Sequence, residues 1–135
     1  MDFFTAMEVS ASGLSAQRVR MNVSASNLAN VDTTQAVGGG PYKKKSVVVE
    51  SVPFGQQMGV NGVAVKQIVS DTSAPRMEYD PESVDADANG YVAYPNINPV
   101  EEMVDMITAS RAYEAGVTAL STSVSMAERA LGIGH

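Results

Sequence analysis

The chain has 135 residues, nine of them basic and fifteen acidic, for a formal net charge of -6, and it contains no cysteine and one histidine, His135. This balance argues against a nucleic-acid footprint, and the lack of cysteine excludes disulfides and thiolate chemistry. The lone histidine sits in a glycine-flanked tail, where it is poorly placed to serve as base to a serine or threonine nucleophile.

The first four residues carry no basic leader region, and no apolar stretch reaches the roughly eighteen residues that a membrane span needs. A cleaved signal peptide or membrane insertion is not expected. Asp2 can cap a helix over residues 3–28, which would extend about 39 Å. Along it Phe4, Met7, Ala11, Leu14, Met21, Ala25 and Leu28 recur at three- and four-residue spacing, interrupted by Arg18. Such a narrow apolar seam needs a partner helix. Propensity is weak, because Ser10, Ser12, Ser15, Ser24 and Ser26 compete for backbone hydrogen bonds and Gly13 adds backbone freedom. Packing must therefore hold this helix, and its small side chains permit close approach on more than one face.

Asn30, Asp32, Thr33 and Thr34, followed by Gly38, Gly39, Gly40 and Pro41, predict turns and loop. Valine-rich residues 44–52 and alternating residues 63–69 read as strands, the second with irregularities at Gln67 and Ile68. Asn61-Gly62 supplies a turn before it, and Pro53, Gly55 and Gly59 make the connection irregular. The basic triplet Lys43 to Lys45 reads as one end of a solvated strand. Shorter strands are predicted at 77–79 and 91–94, around an acidic stretch that ends in Asn89-Gly90.

Asn98 then offers an N-cap, with Pro99 at the first helical position and Glu101 placed to reach back to the cap. The helix runs to about residue 131, with Gly132 placed to end it. Its seam is Met103, Met106, Tyr113, Val117, Leu120, Val124, Ala127 and Leu131, broken at Ser110. The expected fold is α+β: long N- and C-terminal helices packed as a coiled-coil-like pair around a small central β-rich unit. The corresponding divisions are 1–34, 35–98 and 99–135.

Few residues offer chemistry. Asp85, Asp87, Asn89 and Gly90 imitate the start of a calcium loop, but Asn96 stands where its bidentate glutamate belongs, so an ordinary acidic turn is expected. Glu101, Glu102 and Asp105 read as first-turn acids favoured by the helix dipole. Arg111 with Glu114 is either a solvated i,i+3 pair or an intersubunit contact. No catalytic site, metal or cofactor is expected.

Residues 12–30, SGLSAQRVRMNVSASNLAN, followed by Val31-Asp32-Thr33-Thr34, resemble the N-terminal signature of bacterial flagellar rod, hook and related axial proteins. Asn27, Leu28, Ala29 and Asn30 are its most specific part. Tyr94 to Asn98, with Asn96 and Asn98, and then Glu102 to Ile107 and Ser110, Arg111, Ala112, Tyr113, Glu114 and Ala115, are similar to the C-terminal signature of proximal-rod members. Ser83-Val84 departs from the usual His-Pro, and Gly116 stands where asparagine is expected.

The resemblance implies a structural subunit of the basal-body rod, the axle that crosses the periplasm and transmits torque. It also implies terminal helices packed around the export channel and an outward β unit. The implied partners are other copies of the chain, other flagellar rod proteins and, during secretion, the flagellar type III export apparatus. On this reading the seams pair within the chain and the serine-rich faces are left for neighbours. The alternative from another class is a secreted coiled-coil adaptor or binding module that displays the β unit.

Overall fold

The structure is a computed structural model and describes residues 3–54 and 59–134. Its elements are α1 (Phe3–Ala29), β1 (Lys45–Pro53), β2 (Asn61–Ser70), β3 (Arg76–Tyr79), β4 (Tyr91–Tyr94) and α2 (Pro99–Ile133). The fold is α+β, with two terminal helices and a central antiparallel β region. Asp2, Gly55 and His135 lie outside the described residues.

The two helices pack antiparallel: Asn27, near the end of α1, meets Glu102 at the start of α2, and Leu14 meets Gly116 further along. Contacts from α1 also reach β1 and β2. The serines of α1 resolve their competition with the backbone locally, since the Ser10 hydroxyl donates to the Ala6 carbonyl and that of Ser12 to Val9.

The central β region consists of two two-stranded antiparallel sheets, β1 with β2 and β3 with β4. The irregular alternation at the end of β2 has a structural cause. Val48 pairs with Gln67 and Val49 with Val65, so Lys66 is the extra residue of a bulge and the side chains beyond it change phase. In the smaller sheet, Gly90 has φ of +85°, and a β-carbon there would stand 2.8 Å from the Tyr79 ring, so the turn requires glycine twice over.

At α2 the Asn98 side chain accepts from the Val100 and Glu101 amides, and Pro99 begins the helix. Two local expectations are corrected. Glu101 does not reach back to the cap, because its carboxylate turns to Lys44 Nζ at 3.5 Å. Gly132 does not end the helix; it stays helical, and Gly134 is the C-cap.

The α2 seam also shifts. Met106, Tyr113, Leu120, Val124 and Ala127 are half-buried, but Met103, Val117 and Leu131 are exposed, Leu131 at 70%. Glu102, Ala109 and Gly116 complete the sheltered line instead, at the same three- and four-residue spacing. The period is right and the phase differs, because small residues let the backbones approach. A β-carbon on Gly116 would meet Leu14 Cδ2 at 2.5 Å, so Leu14 occupies the space that the missing side chain leaves.

On α1, Met7, Leu14, Met21 and Leu28 are half-buried while Phe4 is 75% exposed. Its fully buried residues are Ala16, Ser24 and Asn27. The serine-rich surface is not wholly left for neighbours. Ser24 is buried, Ser26 contacts Tyr42, and the Ser12 hydroxyl accepts from the Val63 amide at 3.1 Å. The apolar core is correspondingly small: Ala16, Val92, Ile97 and Ala109.

Candidate assembly site

The most enclosed polar cluster joins the end of α1, the segment entering β1 and the first turn of α2. Asn27 projects from the last full turn of α1 and is buried. Its Nδ2 donates to the Lys45 carbonyl at 2.8 Å and to Glu102 Oε2 at 3.3 Å. Its Oδ1 accepts from the Lys45 amide and the Tyr42 hydroxyl, both at 2.9 Å. All donor and acceptor capacity of the side chain is thereby used. Towards Lys45 the carboxamide acts as a neighbouring peptide group would, taking both main-chain partners at the start of β1.

Glu102 is also buried, in phase with Met106 on the face of α2 turned to α1. One oxygen accepts from Asn27. The other, Oε1, takes no hydrogen bond among the described residues, and its charge is answered by Lys44 Nζ at 3.2 Å. Burial works against the charge on Lys44, but Glu102 and then Glu101 outweigh it and hold the ammonium above the ordinary lysine pKa. A buried charge pair of this kind is costly to break by removing one partner.

The surrounding signature residues do structural work. Asn30 Nδ2 donates to the Ser26 carbonyl at 2.8 Å, and its Oδ1 accepts from Thr33, closing the C-terminal end of α1. Leu28 is half-buried and Ala29 exposed. Asn96 donates to Ser73, whose hydroxyl and amide both serve Asp71. Those bonds hold the Asp71 carboxyl below its usual range. In the acidic turn, Asp85 accepts from Thr34 and Gln35, while Asp87 accepts from the Asn89 and Tyr91 amides. These carboxylates hold loops together.

The structure thus places Asn27 in the joint and Asn98 at the cap of α2, and leaves others apart. Ser110 and Tyr113 are half-buried along α2, whereas Arg111 and Glu114 are exposed and form no ion pair with each other. Tyr42, Lys44 and Glu102 are site residues that the sequence reading does not single out. First-turn position marks Glu102 for the helix dipole and the basic triplet marks Lys44 for a solvated strand end; the signal that points inward is the position of Glu102 four residues before Met106 on the seam. Among the described residues no group of three or more histidines and carboxylates is placed to hold a metal, and no helix is long and apolar enough to cross a membrane.

Residues 7–36 match the family model of the flagella basal body rod protein, and residues 88–133 match that of the flagellar basal body rod FlgEFG protein C-terminal. The flagellar basal-body rod protein FlgC of Bacillus subtilis is 44% identical over 149 residues, with 99% of each chain covered. That of Aquifex aeolicus is 45% identical, covering 96% of this chain and 95% of its own. That of Salmonella typhimurium is 40% identical, with both chains wholly covered.

The chain belongs to the FlgC family of flagellar basal-body rod proteins. In this FlgC-family chain the first matched segment contains Asn27 and the second contains Glu102, so the buried bond between them joins the two. Lys44 lies between the matched segments and supplies the countercharge.

Proposed function

We propose that this chain is a structural subunit of the proximal rod of the bacterial flagellar basal body. The observation that carries the reading is its end-to-end similarity to FlgC rod proteins, at 40% identity or more with nearly all of both chains covered in the three relatives above. The subunit polymerises with other copies of itself and with other rod proteins, and passes through the flagellar type III export apparatus on the way. Its role is mechanical rather than catalytic.

On this reading residues 1–34 and 99–135 form the axial layer around the channel, and 35–98 form an outward β-rich unit. The exposure of Phe4, Met103, Val117 and Leu131, beside Val100, Val104 and Ile107, supports their use against neighbours. Burying each such residue contributes about 1.5 to 3 kcal/mol, and helical stacking multiplies small contacts into a stiff axle. The joint of Asn27, Lys44 and Glu102 fixes the β-rich unit to the helices, so torque applied to one is felt by the other.

Deletion of the gene, complemented by the wild-type chain, tests the reading. Cells without it should lack hooks and swimming, and mass spectrometry should find the restored chain in purified basal bodies. Normal basal bodies in the deletion strain would refute it.

A further inference from the structure

A two-stranded sheet leaves both of its outer edges open unless something covers them. The hydrogen-bond phase shows which groups face outward. In the larger sheet the Phe54 amide donates to the Val60 carbonyl and the Asp71 amide to that of Lys44, so the odd-numbered residues of β1 turn their main-chain groups away from β2. Lys45 is held there by Asn27. Val47, Val49 and Ser51 take no partner on that side among the described residues, and Pro53, in the same phase, has no N–H to give. In the smaller sheet the Asp80 amide donates to the Gly90 carbonyl, which turns Met77 and Tyr79 of β3 outward in the same way.

The other two edges are taken or interrupted. On β2 the outward Val63 amide donates to Ser12 of α1, and the bulge at Lys66 breaks the edge beyond it. On β4 the outward Tyr91 amide donates to the Asp87 carboxylate, and the Tyr91 carbonyl accepts from the Asp87 amide. Among the four described strands, β1 and β3 are left open, and both carry exposed apolar side chains, Val49 on one and Met77 and Tyr79 on the other. They do not meet within one copy, since no α-carbon of β3 lies within 8 Å of one in β1.

We propose that β3 of one copy adds to the outer edge of β1 in the next, antiparallel, with Val47 opposite Tyr79 and Val49 opposite Met77. This contact rests on the reading that the chain polymerises, and it supplies a surface for it. The same register sets Glu50 opposite Arg76. Glu50 is exposed and forms no ion pair among the described residues, while Arg76 pairs with the exposed Glu78 and Asp32 and keeps further N–H donors. A shift of two residues one way would set Glu50 against Glu78, and the other way would draw Tyr79 onto Lys45, which Asn27 already holds. Length agrees too: β3 is four residues flanked by Pro75 and Pro81, and Val47 to Glu50 lie clear of both Asn27 and Pro53. Pairing β1 with itself would close a dimer on a two-fold axis, whereas β1 with β3 leaves one open edge of each kind and propagates.

The test exploits the absence of cysteine from the native chain. Glu50→Cys with Arg76→Cys puts the two thiols where facing α-carbons of an antiparallel pair stand about 4.5 Å apart, within disulfide range. Within one copy those α-carbons are more than 8 Å apart, beyond the roughly 7 Å limit. Cells carrying the double variant are treated with a mild thiol oxidant, and their basal bodies are isolated. A ladder of cross-linked copies is expected, at least fivefold stronger than from Glu50→Cys with Glu78→Cys, which reports a shifted register. Intact basal bodies holding the variant without a ladder, a stronger ladder from the shifted pair, or dimers from either single variant would overturn the pairing.

Glu50→Arg decides the matter if the cysteine chain does not assemble, because an exposed side chain without an ion pair contributes little to the fold of one copy. Facing Arg76 of the neighbour, it should reduce swimming at least threefold while the thermal midpoint of the purified chain stays as it was. Normal swimming by Glu50→Arg overturns the proposal. Failure of the rod reading itself is distinguishable, since the wild-type chain would then be missing from basal bodies.

Discussion

Asn27 and Glu102, 75 residues apart in sequence, share a hydrogen bond of 3.3 Å in a place where each is only 1% exposed. Asn27→Ala would leave the Lys45 amide and carbonyl and the Glu102 carboxylate without this partner, at about 1–3 kcal/mol for each group that stays buried and unsatisfied. The expected outcome is a lower thermal midpoint for the purified chain, together with exposure of the Lys45 amide to hydrogen exchange. An unchanged midpoint would show that the joint is dispensable to the isolated subunit.

Gly116→Ala sets two effects against each other. Alanine improves helix propensity by up to about 1 kcal/mol, but its β-carbon would meet Leu14 at 2.5 Å, and overpacking of this kind costs about 1–3 kcal/mol. Net destabilisation is expected in chemical denaturation. Adding Leu14→Ala should relieve the clash, so the double variant should lose less than the sum of the two single changes.

Leu120→Asp places a carboxylate on the sheltered side of α2, whereas Thr122 is exposed. The first variant should be made and exported at near-normal levels and yet build no rod, while Thr122→Asp should build one. Export assays and electron microscopy of basal bodies separate those steps. Equal failure of both would mean that the whole circumference of α2 is packed in the rod.

The pH dependence follows from two groups of opposite sign. Lys44 has a folded pKa above its ordinary 10.5, so its contribution to stability is fully present below that value and is lost as pH rises through the higher folded value. Asp71 lies below its ordinary 3.8, so its contribution is present above that value and is lost as pH falls through the lower folded one. In NMR titrations, Glu102→Gln should lower the pKa of Lys44, because burial is then opposed by less negative charge. Ser73→Ala should raise that of Asp71.

Helix periodicity, the Asn98-Pro99 cap and the paired strands were legible because each rests on local chemistry. The phase of the α2 seam was not. Apolar counting favours Met103 and Val117, while the packed line uses Glu102, Ala109 and Gly116, residues that carry little or no apolar signal. The joint was hidden for a related reason: Asn27, Lys44 and Glu102 look like surface residues until the fold brings them together. Asn27 was visible only through resemblance, which marked it without giving its partners.

The long separation between the two ends of that joint also orders events in time. No residue of α2 is available to α1 until about three quarters of the chain has been synthesised, since α2 begins at Pro99. Helix α1 is a weak helix by itself, rich in serine and dependent on packing. Closing so large a loop is also slow compared with forming a local hairpin. Helix α1 therefore lacks its helical partner until the last element is made, and in a growing chain only the strands β1 and β2, which also touch α1, can shelter it before then.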